Sequence, residues 1–191
     1  LSGGPLIVYT GTFGLINGVT YLAEVAYQMK KIIPEAKFLA IGSGGYEEEL
    51  REVSSKLGVL GNNFWIWSPI SKMEMPALLS ACTVATSLFK PIPEMENNSA
   101  NKFFDALAAG RPVAINYGGW QKDILEESGA GISISGNDPE AAAIELAKFL
   151  NDSQHLESAR NAARTLAQTK FDRDKLYKKL ANVFAKVLDE G

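Results

Sequence analysis

Residues Glu94–Gly119 read EMENNSANKFFDALAAGRPVAINYGG, and their order decides how the rest of the chain is read. A polar loop comes first. Apolar positions at helical spacing run from Ala100 to Ala109, then glycine, arginine and proline, then the buried strand-like run Pro112–Asn116. A helix start of this kind offers unpaired backbone N–H groups and a positive dipole end to an anion. Lys102, three residues past Ser99, adds a full charge. Asp105 stands a turn further on, where a carboxylate accepts hydrogen bonds from ribose hydroxyls. Together these residue types suit a site that grips a nucleotide diphosphate.

Outward from this unit, strands and helices alternate. Upstream, strands are expected at Leu6–Thr10, Lys37–Ile41, Asn63–Trp67 and Thr83–Leu88. Helices fall between them at Gly18–Ile33, closed by Pro34, at Tyr46–Leu57, and from the capping-box pattern Ser71-Lys72-Met73-Glu74 onward. Downstream come a short helix at Lys122–Glu127, a sixth strand at Gly131–Ser135, and a strong helix start at Asp138-Pro139. Two or three helices fill the remainder. Leu176, Leu180, Val183, Phe184, Val187 and Leu188 mark the buried stripe expected of the last, with Lys175, Lys178, Lys179 and Lys186 on a solvated face. The alternation implies βαβ crossovers and a parallel sheet covered on both faces. The expected fold class is α/β, a doubly wound Rossmann-like sheet of about six strands in one domain, residues 1–191.

Bulk properties exclude several classes. The 191 residues suit one domain with a large core, or barely two small ones, and 46% hydrophobic with 21% charged content is that of an ordinary globular protein. A formal charge of −3 gives no field for nucleic acid or an anionic membrane, so any anion site is local. The single cysteine, Cys82, excludes an internal disulfide and a cysteine-based zinc cluster. One histidine, His155, argues against a histidine-rich metal site or a Ser-His-Asp triad. No apolar run reaches the roughly 18 residues of a membrane span. The chain enters a strand almost directly after Leu1-Ser2-Gly3-Gly4-Pro5, with no signal peptide, and reads as a piece of something longer.

In a doubly wound fold, ligands bind beyond the carboxyl ends of the strands. The loops there are Gly11–Gly18, Gly42–Gly45, Ser68–Ser71, Lys90–Ser99 and Tyr117–Trp120.

With that order in place, the chain resembles the C-terminal, donor-binding half of a family-4 retaining glycosyltransferase of the two-domain GT-B architecture. The resemblance runs from about Leu6 to Leu188. Tyr9-Thr10-Gly11-Thr12-Phe13 with Asn17-Gly18 is similar to the family's opening strand and glycine turn. Ala40-Ile41-Gly42-Ser43-Gly44 is similar to its second strand and glycine loop, and Ser68-Pro69-Ile70-Ser71 to the stretch bordering the nucleobase. Phe104-Asp105-Ala106-Leu107-Ala108-Ala109-Gly110-Arg111-Pro112-Val113 resembles the family signature most specifically. Gly118-Gly119 before Trp120 resembles the loop near the donor sugar.

The resemblance implies donor contacts at Gly11, Thr12, Gly42 and Ser43, and at Pro69 and Ile70. It implies further contacts at Asn97, Asn98, Ser99, Ala100, Asn101, Lys102 and Asp105, and at Gly118 and Gly119. The family pattern has two acids eight residues apart; here the second is Asp105 and the first position holds Asn97, with Glu96 beside it. Thr12 and Asn17 occupy the places of the usual cationic clamp, and Lys102 is the natural replacement. The Asn-Asn-Ser-Ala-Asn-Lys-Phe-Phe-Asp string is similar to a subgroup building bacterial surface polysaccharides, including amino- and deoxy-sugar transferases.

The activity implied by this resemblance is transfer of a sugar, with retained configuration, from a nucleotide diphosphate sugar to a glycan or lipid-linked acceptor. No metal and no other cofactor is required, and no Asp-x-Asp pair is present to hold a metal. The acceptor would bind a missing N-terminal domain, leaving this fragment alone inactive, in a protein that is cytoplasmic or peripheral at the inner membrane face. No catalytic residue is assigned.

Each residue also has a plainer reading. Lys102 and Lys90 can be solvated, Asp105 can complement a helix dipole, the glycines can serve turns, and the asparagines and Ser99 can cap or line a loop. Trp65, Trp67 and Trp120 read as core or cleft wall. The alternative functions are a nucleotide-sugar epimerase or a phosphorylase of the same architecture, and a degenerate nucleotide-binding module. A Rossmann dehydrogenase fits poorly, because Gly11-Thr12-Phe13-Gly14 lacks the third glycine of the dinucleotide fingerprint.

Overall fold

The computed structural model describes residues 3–189, so the expected opening at Leu1-Ser2 lies outside the described residues. Six strands form one parallel sheet: β1 (Leu6–Thr10), β2 (Lys37–Ile41), β3 (Phe64–Trp67), β4 (Val84–Ser87), β5 (Val113–Ile115) and β6 (Gly131–Ser133). Their order is β3-β2-β1-β4-β5-β6. From β1 the chain steps outward through β2 and β3, then returns to lay β4 on the other side of β1. The direction of winding therefore reverses between β1 and β4, where a doubly wound sheet opens a crevice at its carboxyl edge.

Side-chain alternation along the strands builds a core on each face. Ile7 and Tyr9 of β1, with Phe38 and Ala40 of β2, face α1 (Val19–Met29), α2 (Glu47–Lys56) and α6 (Pro139–Asn151). Val8, Leu39 and Ile41 face α3 (Met75–Ala81), α4 (Asn101–Ala108), α5 (Trp120–Ser128) and α7 (Ser153–Thr169). The two faces have separate buried clusters, as expected for a three-layer sandwich. The doubly wound α/β sheet read from the sequence is the one observed.

Element ends differ from the sequence expectation in physically simple ways. Helix α1 stops at Met29 rather than Ile33, and Lys30–Ile33 continue as turns bonded back to Ala26, Gln28 and Met29. A proline disfavours helical geometry in the residue before it, which loosens this last stretch. Glu74 does reach back to Ser71, accepting from its backbone N–H at 3.0 Å and its hydroxyl at 2.7 Å, but the regular helix begins only at Met75. The Asp138 cap is as expected, with its carboxylate accepting from the N–H groups of Glu140 and Ala141 at 3.0 Å each.

The largest correction concerns α8 (Arg173–Asp189). Its stripe Leu176, Leu180, Val183, Phe184, Val187 and Leu188 is exposed, not buried, with Phe184 at 62%. Both cores are already filled by α1–α7, so the helix has no strand face left to cover. Trp67 is likewise exposed at the edge of the sheet, while Trp65 and Trp120 pack against the α4 side of the core. No helix among the described residues is long and apolar enough to cross a membrane.

Candidate functional site

At the carboxyl edge of the sheet, the glycine loops after β1 and β2 interlock on the side of β1 away from β4. Gly11 N–H donates to Ile41 C=O at 3.0 Å, Phe13 N–H to Ser43 C=O at 2.9 Å, and Tyr46 N–H to Phe13 C=O at 3.0 Å. A Cβ on Gly42 would fall inside the Gly11 carbonyl, so only glycine allows the loops to close this tightly. Gly11, Thr12, Gly42 and Ser43, with Pro69 and Ile70 from the loop after β3, line a cavity of about 250 Å³. Ile41 and Met75 complete its walls. The predicted contacts of the first three loops are thus brought together.

Lys102 enters from the opposite side. It extends from the first turn of α4 to the Gly11 turn, where a Cβ on Gly11 would meet Cε at 3.4 Å and Nζ at 3.5 Å. Its ammonium donates to Tyr9 Oη at 2.8 Å and lies 4.1 Å from the centroid of the Tyr9 ring, with the Phe89 ring at 5.7 Å. Among the described residues it makes no ion pair. Burial without an acid lowers its pKa from 10.5 to about 8, so the ammonium still predominates at neutral pH. The plain reading of Lys102 as a solvated helix lysine does not hold.

The N-terminus of α4 carries no side-chain cap. Its N-cap is Ala100, in extended geometry, and Ser99 is exposed rather than capping. Phe103 N–H already donates to Ala100 C=O at 3.0 Å, so it is the N–H groups of Asn101 and Lys102 that keep their capacity for an outside acceptor. Ser99, Asn101 and Asp105 line a second, larger cleft of about 1470 Å³, together with Lys72, Phe104, Trp120 and Arg173. Met75 borders both cavities, and Asp105 lines the larger one. Partial burial raises the Asp105 carboxyl pKa, against the opposing pull of Arg173 and Lys72.

The remaining candidates lie along the loop before α4. Asn97 is exposed. Asn98 uses its side chain inside the loop, donating to Met95 C=O and accepting from Ala100 N–H at 3.2 Å, while its carbonyl accepts from Trp120 Nε1 at 2.9 Å. Gly118 and Gly119 pack directly on Glu96: a Cβ on Gly118 would come 3.0 Å from Glu96 Oε1. Lys90 is exposed. Beneath this loop, Tyr117 Oη pairs with Ser87 Oγ at 2.9 Å and donates to Gln121 Oε1 at 2.6 Å, tying the ends of β4 and β5 to α5.

Sequence reasoning missed Tyr9 and Met75. Tyr9 reads as one more apolar residue in a buried strand; the available signal was a hydroxyl-bearing ring two residues before the glycine turn.

Residues 2–166 match the family described as glycosyl transferases group 1. The chain belongs to that family. Solved structures agree with this group 1 domain in fold. Anabaena Alr3699/HepE, solved with UDP and glucose, aligns with TM-score 0.81 and 17% identity over 95% of this chain and 48% of its own. Sucrose-phosphate synthase of Thermosynechococcus elongatus aligns at 0.82 and 18% over 98% of this chain and 46% of its own. The C-terminal domain of the group 1 protein LpcC from Francisella tularensis aligns at 0.73 and 17%, over 90% of this chain and 88% of that domain. This group 1 domain thus spans about half the length of HepE and of the synthase, and has the fold of one half of a GT-B enzyme. No curated protein matches the chain.

Proposed function

We propose that this chain is the donor-binding, C-terminal half of a retaining family-4 glycosyltransferase, holding a nucleotide diphosphate sugar at the crevice between β1 and β4. The observation that carries the reading is Lys102. A half-buried ammonium with no acid beside it stands over a glycine loop, beside an uncapped helix start, in a chain of the group 1 family. Such an arrangement is suited to phosphate oxygens, where a charge-assisted hydrogen bond is about twice as strong as a neutral one. HepE was solved with UDP, and pneumococcal GtfA with UDP and GlcNAc, so UDP is the first nucleotide to test.

In this reading the cavity beside Pro69 and Ile70 takes the base, and Asp105 accepts from the ribose hydroxyls. The diphosphate lies between Gly11–Thr12, the α4 N-terminus and Lys102. When the glycosidic bond to the leaving phosphate breaks, negative charge grows on the departing nucleoside diphosphate. Lys102 and the α4 N–H groups stabilise it without reorganising, because their positions are set beforehand. Glu96, held against Gly118 and Gly119, supplies the carboxylate for sugar hydroxyls that Asn97 does not. No step is assigned to a metal. The acceptor, a glycan or a lipid-linked sugar of a bacterial surface polysaccharide, binds a partner domain outside this chain.

One observation favours a second reading, a nucleotide-binding half without activity: Asn97, uncharged and exposed, stands where the family pattern has its first acid. The full-length protein separates the two. Release of UDP from UDP-sugars, abolished by Lys102→Ala, supports the transferase; UDP binding without turnover supports the inactive half. The chain by itself is expected to bind UDP and not to transfer, and robust transfer by it would overturn the two-domain reading.

A further inference from the structure

We infer that Tyr9 is a positioning residue for this site, its neutral hydroxyl holding the Lys102 ammonium over Gly11 without cancelling the charge. The inference rests on the diphosphate reading and adds a residue that is not among the donor contacts expected from the sequence.

Tyr9 is fully buried, and its ring belongs to the core on the α1 side of the sheet. Lys102 extends from α4 on the opposite face. The two meet over the carboxyl end of β1, so this one hydrogen bond links both faces across the top of the sheet. The proton order is set by the partners. Tyr9 Oη donates to Thr12 C=O at 2.8 Å, so its lone pairs face Lys102 and accept from Nζ at 2.8 Å. Lys102 N–H to Tyr9 O–H to Thr12 C=O is therefore a continuous relay of hydrogen bonds, anchored at the loop that lines the smaller cavity.

The alternative way to hold a lysine in such a place is an acid, and an acid would neutralise it. An anion would then have to displace a salt bridge before binding. A phenol and two ring faces fix the ammonium with polar and cation–π contacts while leaving its net charge at +1. Burial holds the Tyr9 hydroxyl well above the ordinary tyrosine range, so it stays neutral wherever Lys102 is charged. Among the described residues, Tyr9 is the titratable group in contact with Lys102; Asp105 on the same helix faces the larger cleft, towards Lys72 and Arg173.

The test is a double-mutant cycle read by calorimetric titration of UDP at neutral pH, with Tyr9→Phe, Lys102→Met and the double variant. Tyr9→Phe is expected to weaken UDP about tenfold, and to have no further effect in the Lys102→Met background. Lysine 13Cε resonances of the wild type, titrated with and without UDP, supply a readout independent of the variant's folding. The Lys102 resonance is expected to titrate below 10.5 in the free protein and to move upward when UDP binds. Lys102→Met weakening UDP while Tyr9→Phe binds as wild type, an equal loss from Tyr9→Phe in both backgrounds, or a Lys102 titration at the ordinary value in both states would overturn the inference. If UDP binds wild type and Lys102→Met alike, the diphosphate reading itself fails.

Discussion

The carbonyl oxygen of Gly11 occupies the space that a Cβ of Gly42 would need. The atoms that would collide are backbone and Cβ, which no rotamer change can move aside. Gly42→Ala is therefore expected to push the two glycine loops apart, costing roughly 1–3 kcal/mol, as overpacking does in a tight interior. Thermal unfolding should register the loss, and UDP binding should fall with it because the same loops wall the smaller cavity. An Ala variant as stable as wild type would mean that the loops are not closed as described.

Asp138 gives a prediction without any functional content. Its carboxylate accepts from two helix N–H groups at the start of α6. Asp138→Ala should cost about 1 kcal/mol in denaturant unfolding, the usual worth of such a cap, and leave nucleotide binding unchanged.

Lys102 makes the protein pH-dependent in two opposite senses. Its folded pKa, about 8, lies below the ordinary 10.5, so the unfolded chain binds more protons between these values. Stability contributed by this residue accordingly rises as pH increases from about 8 to 10.5. Binding of UDP runs the other way, falling above pH 8 as the ammonium is lost. Burial raises the Cys82, Tyr9, Tyr21 and Tyr117 pKa values, and these groups lower stability over the same window. The difference between wild-type and Lys102→Met unfolding curves therefore isolates the Lys102 sign, while the variant's UDP binding should lose its fall above pH 8.

The exposed stripe of α8 predicts tolerance. Phe184 and Val187 are 62% and 65% exposed. Phe184→Ser or Val187→Ser should change the stability of the isolated chain by no more than about 0.5 kcal/mol, as surface substitutions do. A loss of several kcal/mol would show that the stripe is buried in solution.

The contrast between α8 and the sheet shows where the sequence was legible. Leu6–Thr10 and Lys37–Ile41 are short β-rich runs closed by glycine, and their local chemistry leaves no competing reading; their observed ends coincide with the expected ones. The stripe of α8 has the same helical periodicity as a buried helix, but periodicity reports a face, not what covers it. Whether a core remains to be filled depends on the other seven helices, which no local window contains. The candidate site divides the same way. Gly11, Gly42 and Lys102 could be named as candidates because glycine turns and a charge beside a helix start are local features, and the family resemblance singled them out. Tyr9 could not, since its hydroxyl gains meaning only when a lysine 93 positions away arrives beside it.

If Lys102 and Asp105 grip the nucleotide, removing either group must weaken it. Calorimetric titration of UDP into wild type, Lys102→Ala and Asp105→Asn reads this without any acceptor or partner domain. Binding to wild type is expected, with a loss of about tenfold or more in each variant, as for removing a hydrogen bond that involves a charged group. No binding to wild type, or equal binding to all three, would contradict the assignment of these two residues to the donor.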